Sequence, residues 1–176
     1  MDVRDGTHSS PKYHSTGFPL ITSKNLSSTG IDFSDVSLID KEDFDEINKR
    51  SKVDVGDILF GMIGTIGNPV IVKSTGFAIK NVALIKHGGS ISNFFLFQLL
   101  KSPVFTRYIH KENAGGTQKF LGLSVIRNFC FLAPTKDEQY KMAYFLSKLD
   151  KIITLHKHKI DNLKRLKRAL LQKMFV

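Results

Sequence analysis

Apolar positions fall into two regimes along the chain. In the first they come as short runs separated by Gly, Pro, Ser and Asn, and in the second they recur every three or four residues without interruption. Short apolar runs bounded by turn formers predict strands. Phe18-Pro19-Leu20-Ile21 is the best early candidate, within a polar, Ser/Thr-rich opening through Gly30 that reads as loop interleaved with short strands. Asp40 to Lys49 reads as a short acidic helix. Val53 to Phe60 turns into a strand, Gly61, Gly64 and Gly67 punctuate, and Pro69-Val70-Ile71-Val72 and the stretch from Phe77-Ala78-Ile79 to Leu84-Ile85 supply two more. Ser92 to Leu100 and Pro103 to His110 read as helices, and Phe120 to Leu132 returns to strand character. The economical description is an α+β domain, a mixed, twisted β-sheet with flanking helices and no internal repeat.

The second regime opens at Pro134-Thr135-Lys136-Asp137-Glu138. Pro134 is expected to stop the preceding strand, Thr135 to cap a helix, and Glu138, three residues on, to complete a capping box. No Gly or Pro follows. Leu146, Leu149, Ile153, His156, Ile160, Leu163, Lys167, Leu170 and Met174 alternate spacings of three and four, a seam interrupted only by His156 and Lys167. Phe145, Ile152 and Leu166 widen the apolar face beyond a two-stranded seam. A helix of this extent runs roughly 57 Å, more than the preceding residues can cover. Three readings stand open: a dimerising coiled coil, a helix lying along its own domain, and a basic amphipathic membrane binder. Asp150 and Asp161 interrupt the basic face and no Trp is present, which disfavours the last.

Charge sharpens this division. The net charge of +10 at pH 7 points to an anionic partner. Residues 1–135 carry 15 Lys+Arg against 12 Asp+Glu, whereas residues 136–176 carry 11 against 4. The cluster Lys164, Arg165, Lys167 and Arg168 reads as a solvated basic face or as a phosphate contact. No apolar stretch approaches the roughly 20 residues needed to cross a bilayer, and the opening MDVRDGTH lacks the apolar core of a signal peptide. A cytoplasmic protein without membrane contact is expected. The single Cys130, in FCFLAP, excludes an intramolecular disulfide and is expected to be a small buried hydrophobe.

No catalytic, metal or cofactor motif declares itself. No Asp or Glu has Lys two residues on, as a common metal-dependent nuclease motif requires. The five prolines never adjoin, which removes the Asn/Asp-Pro-Pro-aromatic run of amino-methyltransferases, and there is no Gly-Lys-Ser/Thr. Gly61, Gly64 and Gly67 have the wrong spacing for a dinucleotide fingerprint. His156 and His158 point away from each other on a helix. His8, His14, His87 and His110 read as solvated or hydrogen-bonded, and Glu42, Asp43, Asp45 and Glu46 as an exposed helix face. An enzyme site among Asp54, Asp57 and His8 is the remaining catalytic alternative.

Several segments together carry a resemblance. They are Arg4-Asp5-Gly6-Thr7-His8-Ser9-Ser10-Pro11-Lys12-Tyr13, Gly56-Asp57-Ile58-Leu59 followed by Gly64-Thr65-Ile66-Gly67, and Gly116-Thr117-Gln118. Pro134-x-x-x-Glu138-Gln139 then leads into Leu149-Asp150-x-x-Ile153 and Leu170-Leu171-Gln172-x-Met174-Phe175. In this order and spacing the chain resembles the specificity subunit of type I restriction-modification enzymes. The resemblance covers nearly the whole chain but half of the usual subunit. It implies a target recognition domain over residues 1–133 that reads half of a split site in double-stranded DNA. It also implies a helix over residues 134–176 for antiparallel coiled-coil dimerisation and docking of a methyltransferase subunit, with a restriction (motor-nuclease) subunit joining for cleavage. The chain itself would be non-catalytic, and half length implies a homodimer, an associated second half, or a piece of a longer protein.

Under that resemblance three surfaces are candidates for DNA contact. Gly115 to Lys119 is the first: glycines allow close approach, Gln118 suits adenine, Lys119 guanine or phosphate, and Thr117 either role. A plain turn remains the alternative. Thr7, His8, Lys12 and Tyr13 form the second, and Met62 to Asn68, with Thr65, Lys80 and Asn81, the third. A coiled-coil adapter with no DNA role is the competing function.

Overall fold

The computed structural model describes residues 1–112 and 120–175. Its centre is a four-stranded antiparallel sheet in the order β1 (Val3–Asp5), β9 (Val82–Ile85), β6 (Ile58–Gly61), β7 (Gly67–Ile71). Period-two alternation divides the strand residues between two cores. Ile58, Phe60, Met62, Ala83 and Ile85 face one side, where α2 (Asn93–Leu100), α3 (Pro103–Glu112) and α4 (Leu123–Arg127) cover them. Leu59, Val82 and Leu84 face the other, against Ile21, Val53, Val70, Val72, Phe77 and Ile79. Phe105 of α3 anchors the helical side, with Phe60 and Phe129 edge-on at 5.5 and 4.8 Å between ring centroids.

Two smaller sheets complete the β layer. β2 (Phe18–Ile21) pairs antiparallel with β5 (Ser37–Ile39) and parallel with β8 (Ala78–Ile79). β3 (Leu26–Ser27) and β4 (Gly30–Ile31) form a hairpin. Among the named strands of the described residues, the mixed pairing expected from sequence therefore belongs to the three-stranded sheet. The apolar stretch from Phe77 to Ile85 is two strands in different sheets, because Asn81 takes a positive φ of 55° and turns the chain. Asn tolerates this left-handed conformation better than most side chains. α1 (Lys41–Ser51) is the acidic helix, capped by Asp40, whose side chain accepts from the Asp43 amide at 2.8 Å.

Phe120 to Leu132 is not a strand. Phe120 makes one isolated bridge, α4 follows, and residues 128–135 carry no regular structure, so Pro134 ends no strand. The helix prevails because it turns Ile126 into the core and sets Arg127 where its guanidinium donates twice to the Val3 carbonyl, at 3.1 and 2.7 Å. Cys130 is exposed rather than buried. Phe129 fills the aromatic cluster and the extended chain turns the next side chain outward.

α5 (Lys136–Met174) is a single helix of 39 residues, roughly 58 Å long. The capping box forms as expected: Thr135 Oγ1 accepts from the Glu138 amide and Glu138 Oε2 from the Thr135 amide, at 3.4 and 2.9 Å. Among the described residues, only its first third rests on the domain. Gln139 is buried, accepts from the Ser92 amide at 2.9 Å and donates to the Pro134 carbonyl at 3.0 Å. Ala143 allows close approach, and Asp150 accepts from Gln98 and Lys101 at 3.0 and 2.7 Å. Burial raises the Asp150 carboxyl, but those two donors outweigh it and hold it below the usual carboxylate range. Residues 151–175 are exposed throughout.

Candidate nucleic-acid interface

The register of the four-stranded sheet gathers separate loops at one end. β1 and β6 run antiparallel to β9, with Asp5 opposite Ala83 and Gly61 opposite Val82. The chain leaving β1, the turn entering β9 and the β6–β7 connection therefore emerge together. They carry Thr7 to Tyr13, Lys80 with Asn81, and Met62 to Ile66. Phe120 bridges Ile63, and the Leu121 amide donates to the Met62 carbonyl at 2.8 Å, which brings a fourth segment to the same end. The second and third surfaces expected from sequence are one continuous region.

Backbone contacts fix this region. Thr7 donates to the Ile79 carbonyl at 3.0 Å and accepts from the Asn81 amide at 3.1 Å. A Cβ on Gly6 would lie 2.2 Å from the Ile79 carbonyl oxygen, so only glycine fits there. Ser23, buried and distant in sequence, is the hub. Its hydroxyl donates to the Asn81 carbonyl at 3.2 Å and accepts from the amides of Met62 and Ile63 at 3.1 and 3.4 Å.

Polar side chains then hold one another. The Lys80 ammonium donates to Ser10 Oγ at 2.8 Å and to the Tyr13 hydroxyl at 3.4 Å. His8 Nδ1 meets Asn81 Oδ1 at 2.7 Å and Nε2 meets Asp5 Oδ2 at 2.8 Å. Arg50 pairs with Asp5 and donates to the Gly6 carbonyl, both at 3.0 Å. Lys12 and Tyr13 are exposed, as is Thr65 at the tip of the β6–β7 turn. Thr117, Gln118 and Lys119 lie outside the described residues. Asp5 and Ser10 lie in the opening segment quoted for the resemblance but were not named as contacts, and Ser23 and Arg50 are marked by no local pattern because their partners are far along the chain.

Acceptance by Asn81 Oδ1 and then by Asp5 raises the His8 pKa above its ordinary value. Stabilisation from a raised imidazole pKa is complete below the unfolded value, near 6.5, and disappears as pH rises through the folded value. By NMR titration His8 is therefore expected above about 6.5, and Asp5→Asn is expected to lower it. A His8 midpoint unchanged by Asp5→Asn would contradict this arrangement.

Asp54 and Asp57 do not join His8. They lie at the opposite end of the sheet, where the fully buried Asp57 accepts from the Asp54 and His87 amides and from His87 Nδ1, at 2.8, 2.9 and 2.9 Å. Lys86 lies between the two carboxylates, 2.7 Å from Asp54 and 2.5 Å from Asp57. Burial raises the Asp57 carboxyl, but the Lys86 and His87 donors prevail and hold it below the usual range. Of the acidic residues on α1, Asp45 pairs with Lys41 and Glu46 with Lys49.

The seam residues of α5 are uncovered. Leu146 and Leu149 are 36% and 40% exposed, where the helix leaves the domain, and Ile153, Ile160, Leu163, Leu170 and Met174 range from 47% to 71%. His156 and Lys167 are exposed among them. No helix among the described residues is long and apolar enough to cross a membrane.

Comparison with known proteins agrees with this architecture. The chain is 23% identical to the type I restriction enzyme MjaX specificity subunit of Methanocaldococcus jannaschii, over 98% of this chain and 42% of that protein. A solved chain from a study of complex assembly and conformational transition in the type I R-M system superimposes with a TM-score of 0.64 at 17% identity, again covering 98% of this chain and 42% of the other. The chain thus spans about two fifths of the length of the relatives it matches. Residues 7–165 match a family described as the type I restriction modification DNA specificity domain, which takes in the loop end of the sheet and most of α5. The chain belongs to the type I restriction modification DNA specificity domain family.

Proposed function

We propose that this chain is a non-catalytic DNA-reading half of a type I specificity subunit, acting in the cytoplasm without a cofactor of its own. Residues 1–133 form the recognition domain and read one half of a split site in double-stranded DNA through the loop end of the four-stranded sheet. Residues 134–176 pair with a second such helix, in a homodimer or with a second half-subunit, and dock a methyltransferase subunit, which a restriction subunit joins for cleavage. The observation that carries this reading is the convergence of four sequence-distant segments at one end of a rigid sheet. Such a platform presents several side chains to a groove at fixed relative positions, the requirement for reading consecutive base pairs.

Reconstitution with a type I methyltransferase subunit and mapping of the methylated sequence tests this. Lys12→Ala, at an exposed cation, is expected to weaken binding to all sequences and to lower the salt slope by about 1. Gln118→Ala is expected to cost roughly 1–3 kcal/mol at one position of the half-site and to relax discrimination there. A complex that assembles but whose affinity and site choice survive both substitutions would favour an adapter without DNA recognition.

A further inference from the structure

Two apolar side chains stand exposed within the polar loop end. Ile63 is 39% and Phe120 44% exposed, and an antiparallel bridge makes them neighbours. The adjoining residues face the other way: Met62 and Leu121 are buried in the helical-side core, joined by the 2.8 Å hydrogen bond from the Leu121 amide to the Met62 carbonyl. Alternation along extended chain thereby holds Ile63 and Phe120 outward. Ser23 Oγ, accepting from the amides of Met62 and Ile63, fixes the bridge against the rest of the loop end. The pair is an apolar step on a rigid base, flanked by the hairpin tip at Thr65 and tied through Ser23 to the turn carrying Lys80 and Asn81.

Duplex DNA offers such a surface two apolar partners, the thymine 5-methyl group in the major groove and the base faces exposed when a step is unstacked. Unstacking costs a few kcal/mol per step and is performed by a projecting wedge. Ile63 and Phe120 lie side by side on paired backbone, a broad surface that suits a methyl group on a groove floor.

We propose that Ile63 and Phe120 read a thymine, packing together against the 5-methyl group of one T·A pair in the half-site while the polar residues around them meet neighbouring groups. This rests on the DNA-reading role proposed above and adds a base identity to it.

The test uses the chain assembled with a methyltransferase subunit, and duplexes of its mapped site in which each thymine is replaced singly by deoxyuridine. That replacement removes the methyl group and leaves base pairing intact. At one position the wild-type complex is expected to lose binding roughly fourfold, the value for withdrawing one methyl-sized group from water. The double variant Ile63→Ala/Phe120→Ala is expected to bind the thymine and deoxyuridine duplexes equally, whereas Phe120→Leu retains the preference. If the double variant fails to fold, the single variants Ile63→Ala and Phe120→Ala take its place, each expected to reduce the thymine preference. Equal wild-type binding to every deoxyuridine duplex, a half-site without an A·T pair, or a methyl preference surviving in a folded double variant overturns the proposal while leaving sequence-specific binding intact. Loss of all sequence discrimination in the wild-type complex would overturn the DNA-reading role as well.

Discussion

Asp57→Ala is expected to destabilise the protein by about 2–6 kcal/mol at neutral pH, since it leaves two backbone amide donors unsatisfied at about 1–3 kcal/mol each. Asp57 is fully buried and accepts from two backbone amides, His87 Nδ1 and the Lys86 ammonium. Removing its carboxylate orphans donors at the entry to β6 and the exit of β9, the two central strands. Lys86 retains Asp54 and the Lys52 carbonyl, at 2.7 and 3.1 Å, so the loss falls mainly on the backbone and His87. The acid limb gives an independent check. Because the Asp57 pKa is depressed in the folded protein, its contribution is complete above the unfolded value, about 3.9, and is lost as pH falls through the folded value. Urea unfolding should show the wild-type advantage at pH 7 and its shrinkage on acidification below that range. Equal stabilities at pH 7 would rule out this role for Asp57.

Leu149→Asp combined with Leu163→Asp is expected to convert a dimer to a monomer while leaving the domain folded. Both side chains are at least 40% exposed in the single chain, so the substitutions remove little from its own core. Across a helix pair, each Leu withdrawn from water contributes about 1.5–3 kcal/mol. Two lost per protomer weaken association by a factor on the order of 10⁴ or more. The partner is expected on physical grounds, since the 25 exposed residues from 151 to 175 gain no packing from their own domain and helices in proteins owe most of their stability to such packing. Light scattering at tens of micromolar checks it: a wild-type chain that is already monomeric would refute self-association.

What was legible in the sequence is what local pattern controls. The capping box at Thr135 and Glu138, the uninterrupted helix after it, the acidic α1 and the apolar run Ile58 to Phe60 each depend on neighbours a few residues away. The errors have a common cause in contacts between distant residues. Phe120 to Leu132 is apolar enough for a strand, but Arg127 reaching the Val3 carbonyl and Ile126 reaching the core select a helical turn. Cys130 has apolar neighbours, yet Phe129 and Phe131 turn towards the aromatic cluster and the thiol between them is left exposed. The loop end was legible in parts: Thr7, His8, Lys12, Tyr13, Thr65, Lys80 and Asn81 stood out as isolated groups. Their union depends on strand register and on Ser23, whose partners lie 39 to 58 residues away.

Asp150, the last tether of α5 to the domain, has a mechanical consequence. Beyond it the helix continues to Met174, a cantilever of about 36 Å at 1.5 Å per residue. A tilt of about 10° at the root swings the free end by roughly 6 Å, close to two base-pair steps of DNA at about 3.4 Å each. Reach and angular gain thus grow together, and accuracy at the tip depends on stiffness at the root. Apolar contact alone is non-directional and lets a helix roll or slide. Gln139 and Asp150 instead grip the root with directional hydrogen bonds, 11 residues and thus about three helical turns apart on one face. The long span between these two grips sets the pointing error of the whole arm.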